Sequence, residues 1–353
     1  MRPAPSPARA FPRPPPAPAV AAHASATNRE PADGDSAWIA RAFAPAALGG
    51  VYQFVRVLGQ GGMGVVVLAR ERALHRAAAV KFLHPPLAAS PRAVERFRRE
   101  ARIQAQLEHP GIVPLYARGE TRPADGFADA VPLPYLAMRY VAGESLAEQL
   151  ARRAAAGEGP MPATAVRDLL GQLAAALAFA HGRGVVHRDL KPENVLVERE
   201  SGRALLTDFG VAALPSHDDP RAADHSAGTP RWMAPEQIAG EHAVDGRTDV
   251  YALGMLGVAL LTGRRPFPAV ATAAVPAAHC TAPVPDVVAL APGTPADLCR
   301  TLARCLAKDP AERWPSAAAF GEAITQPRPT WRYWLGAVRV GARGALGGGR
   351  RAG

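Results

Sequence analysis

Two stretches of the chain concentrate residue types suited to handling phosphate. The first is GQGGMG, in which Gly59, Gly61 and Gly64 run straight into Val65, Val66, Val67 and Leu68. The GxGxxG spacing also opens dinucleotide-binding units, but there a helix follows the loop, whereas this β-branched run favours a strand. The loop therefore reads as a hairpin flap. Without Cβ atoms it can lie close over a polyphosphate and turn backbone N–H groups toward it, although an unliganded glycine hairpin fits the same residues. Lys81, in AAVKFL, sits where a strand's neighbours would be buried, and Glu100 is a candidate partner that would keep its ammonium charged. A solubilising lysine on an edge strand is the alternative. The second stretch pairs HRDLKPEN, residues 187–194, with DFG, residues 208–210.

The elements that must position these residues change character along the chain. Residues 1 to about 48 are dominated by Pro and Ala, a composition that supports neither helix nor sheet and predicts a disordered tail. From Tyr52 the runs YQFVRVLG, VVVLAR and AAAVKFL read as strands, and their short links leave no room for crossover helices, so the sheet should be antiparallel. Ser90 and Pro91 form a helix-start signal, and Val94, Phe97 and Ala101 extend it, predicting a helix from about Pro91 to Leu107. Val166, Leu169, Leu170, Leu173 and Leu177 predict a second long helix, closed by Gly182 and Gly184. Helical patterns such as YALGMLGVALLTG dominate after Tyr251, so a strand-rich lobe should precede a helix-rich one.

Taken together these motifs resemble the protein kinases of the Hanks type, and most of all their bacterial Ser/Thr branch, over about Tyr52 to Thr325. Gly59, Gly61, Gly64 and Val66 match the glycine loop, Ala79 to Lys81 the AxK strand, and Glu100 the glutamate of the small-lobe helix. Ala234, Pro235 and Glu236 match APE, Asp249 matches the aspartate of DVYALG, and Arg313 matches the arginine that pairs with Glu236. The resemblance implies an α+β, bilobal protein-kinase-like fold. A kinase domain over 51–325 would comprise a small antiparallel β-sheet lobe with one helix (51–138) and a large, mainly helical lobe (142–325), between tails at 1–48 and 326–353.

It also implies transfer of the ATP γ-phosphate to Ser/Thr hydroxyls of protein substrates, in signal transduction with autophosphorylation. Catalysis would involve Lys81, Glu100, Asp189, Lys191 and Thr229. Asp189 would accept or orient the substrate hydroxyl, and Lys191 would meet charge on the transferred group. Asn194 and Asp208 would ligate Mg2+, a hard ion suited to their oxygens. ATP would lie against Leu58, Gly59, Gln60, Gly61, Gly62, Met63, Gly64, Val65, Val66, Ala79, Lys81, Met138, Arg139, Val141 and Leu196, with backbone groups from Arg139 to Val141 holding adenine. Taken singly, the apolar members would read as ordinary core.

In the segment between DFG and APE, the resemblance assigns Arg188 to a phosphorylated loop residue, with Ser226 the chosen acceptor, and Thr229 to the substrate pocket. A non-catalytic scaffold would lack a motif residue, and none is missing. A small-molecule phosphotransferase would not need Lys191 and the GTP-to-APE segment. Arg139, Gly111 and Trp232 depart from the bacterial pattern, which usually has Glu, Asn and Tyr there, and the loop lacks paired threonines.

The net charge of +10 accompanies abundant Arg, Ala, Pro and Gly, so it reads as general composition, and no nucleic-acid partner is expected. Cys280, Cys299 and Cys305 lack metal-site or disulfide spacing and suit a reducing cytoplasm. No secretory signal and no transmembrane span is expected, since the longest apolar run, Tyr251 to Thr262, falls well short of about 20 residues. The tail from Trp331 to Leu346 mixes aromatic residues with Arg332, Arg339 and Arg343, which suits weak contact with an anionic membrane surface as well as a disordered end.

Overall fold

A computed structural model of the chain describes residues 39, 42–43, 48–121, 132–209, 231–240, 244–264, 267, 274–284 and 286–326. The β-branched runs form β1 (Tyr52–Gly61), β2 (Gly64–Glu71) and β3 (Arg76–Leu83), joined later by β4 (Leu115–Thr121) and β5 (Leu133–Arg139). They make one antiparallel sheet in the order β1-β2-β3-β5-β4. Val65, Val67, Ala69, Val80 and Phe82 fill its core. The Pro91–Gln104 helix packs there through Phe97 and Ala101, and the Ser90 hydroxyl caps it by accepting from the Ala93 N–H.

That helix stops short of Leu107. The Leu107 N–H turns back to the Gln104 carbonyl at 3.1 Å, and its side chain joins the other core of the molecule. The expected tail over 1–48 needs a larger correction. Ile39, Ala42 and Leu48 are buried in the small-lobe core, and Phe43 packs against it. Averaged Pro/Ala composition hid these few apolar anchors.

The large lobe is built around two helices. In Ala163–His181 the whole stripe Val166, Leu169, Leu170, Leu173 and Leu177 is buried. In Arg247–Thr262 every residue from Thr248 to Leu261 is buried, as its near-continuous apolar run requires. Gly254 and Gly257 allow its neighbours to approach: a Cβ would meet Cys305 Cβ at 2.5 Å and Leu302 Cδ2 at 2.6 Å respectively. The Ala296–Cys305 and Ala317–Thr325 helices complete the core, and β6 (Gly143–Ser145), β7 (Val195–Glu198) and β8 (Ala204–Leu206) form a small sheet at its edge. By length and composition Ala163–His181 could cross a bilayer, but its stripe is packed inside this lobe.

The lobes meet through backbone. Val113 N–H donates to Leu206 O at 2.9 Å and Leu206 N–H to Gly111 O at 2.8 Å, so the segment before β4 is bonded to β8. Gly111 suits this junction, since a Cβ there would lie 3.1 Å from Ala176 Cβ and 3.2 Å from His109 Nδ1. Cys280, Cys299 and Cys305 are free thiols.

Candidate active site

The glycine hairpin is set by the register of β1 on β2, with Gly61 opposite Gly64 and Gly59 opposite Val66. Gly64 has no room for a side chain, because a Cβ would stand 1.8 Å from the Phe82 carbonyl oxygen. Gly59 and Gly61 face open space instead, which leaves the flap bare where a ligand would approach. A His84 ring nitrogen, bonded to the Gly61 carbonyl at 2.9 Å, ties the flap to the end of β3.

Below the flap, Lys81 is buried on β3 between two carboxylates. Its Nζ donates to Glu100 Oε1 at 3.0 Å and to Asp208 Oδ1 at 2.8 Å. Burial works against the ammonium, but Asp208 and Glu100 together outweigh it and raise its pKa above the ordinary lysine value. Burial opposes ionisation of Asp208 too, yet Lys81 holds its carboxyl below the usual range. One lysine thus joins strand, helix and DFG segment, although the three residues are far apart in sequence.

The HRDLKPEN segment is anchored by Asp249, buried in the first turn of Arg247–Thr262. Its Oδ2 accepts from the His187 N–H at 2.8 Å and its Oδ1 from the Arg188 N–H at 2.9 Å, while a His181 ring nitrogen bonds Oδ2 at 2.7 Å. Burial would raise the Asp249 pKa, but His181 and these bonds keep it below the usual carboxylate value. The anchoring holds Arg188 at φ 65° and, with the neighbouring strand, Asp208 sits at φ 56°, both conformations that side-chain-bearing residues adopt at a cost. The His187 and Phe209 rings, each next in sequence to one of these residues, lie 4.7 Å apart at a tilt of 41°.

Asp189 emerges from this frame. Its Oδ2 accepts from Lys191 Nζ at 2.7 Å and Asn194 Nδ2 at 3.0 Å, and its Oδ1 is buried without a hydrogen-bond partner among the described residues. Asn194 Nδ2 also donates to the Asp189 carbonyl at 2.7 Å, leaving its amide oxygen as the available ligand. Asp208 and Asn194 therefore offer hard oxygens, and the described residues contain no cluster of three or more His, Cys, Asp or Glu side chains arranged to hold an ion. Mg2+ at such a site would draw its remaining ligands from phosphate oxygens and water.

Beside the flap, Ala79 lies opposite Met138 in the β3–β5 pairing, and both are buried with Val141. Leu58, Val66 and Leu196 pack on the same cluster, Leu196 reaching it from the large lobe. Arg139 donates its N–H to the Pro114 carbonyl at 2.9 Å, and its guanidinium pairs with Glu198 of β7. Gln60, Gly62, Met63 and Val65 complete the hairpin. Thr229 and Ser226, together with both expected tails apart from the positions noted above, lie outside the described residues.

Glu236 is clasped by Arg313, with both Nη1 and Nη2 at 2.8 Å, and by Thr248 Oγ1 at 2.7 Å. Gln237 Nε2 then bonds the Arg188 carbonyl at 2.9 Å, coupling the APE segment to HRDLKPEN. Sequence reasoning missed Gln237, His181 and His84. Each acts on a partner distant in the chain, and only the histidine in the last turn of Ala163–His181 left a local signal.

The protein kinase domain family matches residues 52–323. The chain is 39% identical over 279 residues to the serine/threonine-protein kinase Pkn1 of Myxococcus xanthus, covering 78% of this chain and 38% of that protein. It is 37% identical over 277 residues to the serine/threonine-protein kinase PknB of Mycobacterium tuberculosis (strain ATCC 25618 / H37Rv), covering 78% and 42%. It thus spans about two fifths of the length of these relatives. The crystal structure of the Mycobacterium tuberculosis PknI kinase domain superposes with a TM-score of 0.60 at 33% identity, covering 78% of this chain and 95% of that one.

Proposed function

The chain belongs to the protein kinase domain family, in its bacterial Ser/Thr branch, and we propose that it moves the γ-phosphate of ATP onto Ser and Thr hydroxyls of protein substrates. The observation that carries this reading is the asymmetry of Asp189, whose Oδ2 is held by Lys191 and Asn194 while its buried Oδ1 lacks a partner among the described residues. A buried carboxylate oxygen left unpaired is costly, and a substrate hydroxyl donating to it would relieve that cost.

The remaining roles follow from charge and position. Lys81, kept charged by Glu100, would hold phosphate oxygens, and Lys191 beside Asp189 would stabilise charge on the transferred group. Asp208 and Asn194 would hold Mg2+, which when bound neutralises the phosphates and orients them for in-line attack. The Ala79, Val66, Met138 and Leu196 cluster would take the adenine ring. Because the Arg139 N–H is already bonded to Pro114, the hinge contacts would fall to the Arg139 carbonyl and the Val141 N–H.

The experiment is transfer of labelled phosphate from ATP to a generic basic protein, followed by phosphoamino-acid analysis. Phosphoserine and phosphothreonine, lost in Asp189→Asn, support the reading, and no transfer by the wild type overturns it. We place the activity in the cytoplasm. Recovery of the full chain with membranes after high-salt and alkaline washing would contradict that placement.

A further inference from the structure

The matched kinase domain begins at residue 52, yet Phe43 packs edge-on against Phe82 at 5.7 Å and tilted against Phe54 at 5.5 Å. Phe82 follows Lys81 on β3 and is fully buried. Successive side chains on a strand point to opposite faces, so Phe82 backs the sheet on the side away from Lys81. Its ring also meets Tyr135 of β5 at 6.1 Å, and Tyr135 meets Tyr52 of β1 at 6.5 Å. Phe43 thus caps an aromatic row that spans the middle of the sheet behind the site.

The segment that carries Phe43 is anchored on both sides. Ile39, Ala42 and Leu48 are 4%, 1% and 4% exposed, buried in the same core as Phe82. The Phe43 N–H donates to the Ile39 carbonyl at 3.1 Å, Val51 N–H to the Leu48 carbonyl at 2.9 Å, and the Thr121 hydroxyl reaches the Ala42 carbonyl at 3.5 Å.

We propose that Ile39, Ala42, Phe43 and Leu48 mark a strap that belongs to the catalytic unit, and that Phe43 is a positioning residue for Lys81. By backing Phe82 it fixes β3, and so the 3.0 Å and 2.8 Å contacts of Lys81 with Glu100 and Asp208. Such charge-assisted bonds weaken steeply when their geometry loosens, so a strand that rocks would hold phosphate less well. Displacing the strap would lower nucleotide affinity without changing any residue that touches nucleotide. The inference rests on the ATP-binding reading of Lys81.

The test compares full-length wild type with Phe43→Ala, Phe43→Leu and a large-lobe control, Ile324→Val, whose side chain is buried far from β3 in Ala317–Thr325. ATP affinity and kinetics are measured below the melting temperature of every variant, with hydrogen exchange of the peptide covering Ala77 to Leu83. Phe43→Ala is expected to raise KM for ATP about fivefold and to speed β3 exchange. Phe43→Leu should recover part of both, and Ile324→Val should change neither. Wild-type KM and unchanged β3 exchange in Phe43→Ala overturn the proposal, as does an equal effect in Ile324→Val. If Phe43→Ala does not fold, the same readouts on Phe43→Leu decide, with unchanged values overturning the idea. A wild type that binds no ATP would instead sink the reading of Lys81, while the exchange result would still report on the strap.

Discussion

Lys191 Nζ donates to Asp189 Oδ2 at 2.7 Å, so the side chain expected to meet phosphoryl charge also fixes the carboxylate expected to receive the hydroxyl. The two expected roles are therefore coupled through one oxygen, while the other has no hydrogen-bond partner among the described residues. Asp189→Asn keeps the shape and removes the charge. We expect kcat to fall about 10³-fold with ATP affinity nearly unchanged, as for loss of a general base. Kinetics alongside nucleotide titration check this, and a kcat within tenfold of wild type would remove Asp189 from the chemistry.

Lys81→Met and Asp208→Ala each remove one end of the partly buried 2.8 Å ion pair. Both should leave the far-ultraviolet spectrum unchanged while cutting phosphate transfer by at least about 10²-fold, since a phosphate clamp or metal ligand contributes several kcal/mol to the barrier. Spectra and radiolabel transfer on the same preparations separate loss of function from loss of fold. Near-normal turnover in either variant would show that its role has been misassigned.

The glycine hairpin and Lys81 were legible in the sequence because their residue types are unusual for their surroundings. Gly64 admits no Cβ, and Lys81 is a lone cation among apolar neighbours. The Val166 to Leu177 stripe was legible because a buried helix repeats its apolar face at fixed spacing. Phe43 was not, because its partners Phe54 and Phe82 arise from tertiary packing and its surroundings are rich in Pro and Ala. The end of the Pro91–Gln104 helix was misjudged for a related reason, since Leu107 continued the apolar pattern but serves the other lobe. Hydrogen bonds such as Gln237 to Arg188 leave no pattern to read.

His279 is buried, with its ring nitrogens bonded to the Tyr251 hydroxyl at 2.8 Å and the Arg231 carbonyl at 3.1 Å. Burial pushes its pKa down to about 4, from 6.5 when unfolded. The folded state then binds fewer protons than the unfolded state between these values, so its contribution is full above pH 6.5 and is lost as pH falls toward 4. Urea unfolding of wild type should show stability dropping across that window, and His279→Gln should flatten the drop. Equal slopes in both proteins would mean that another group carries the acid sensitivity.

Glu236 and Arg313 form a buried pair whose hydrogen bonds are largely satisfied by Thr248 and by the carbonyls of Arg247, Ala307 and Lys308. Removing one partner strands the other, so Arg313→Ala should cost about 3–5 kcal/mol in unfolding free energy. Burial opposes ionisation of Glu236, but Arg313 and Thr248 lower its pKa below the ordinary glutamate value of 4.5. Its contribution is thus present above pH 4.5 and is lost as pH falls through the lower folded value. Chemical denaturation of Arg313→Ala and Glu236→Ala, alone and combined, checks the coupling, and additive losses would show that the pair does not act as a unit.

Arg188 is held by backbone bonds to Asp249, and among the described residues its guanidinium forms no ion pair. Burial lowers its pKa and the nearby Arg99 lowers it further, although Asp249 acts in the opposite sense. Arg188 is half-buried and Arg99 exposed, and a phosphoryl group with about −1.5 to −2 charge placed beside Arg188 would offset this repulsion. Ser226 lies in the segment between Asp208 and Glu236 and is the acceptor we expect. After incubation with ATP, mass spectrometry should find phosphate on Ser226. Ser226→Ala and Arg188→Ala should each lower transfer to an added substrate about tenfold, with no further loss in the double variant if the two act through one contact. Full activity with Ser226 unmodified would assign the loop's ordering to other contacts and Arg188 to another partner. Additive losses would mean that the two residues contribute independently.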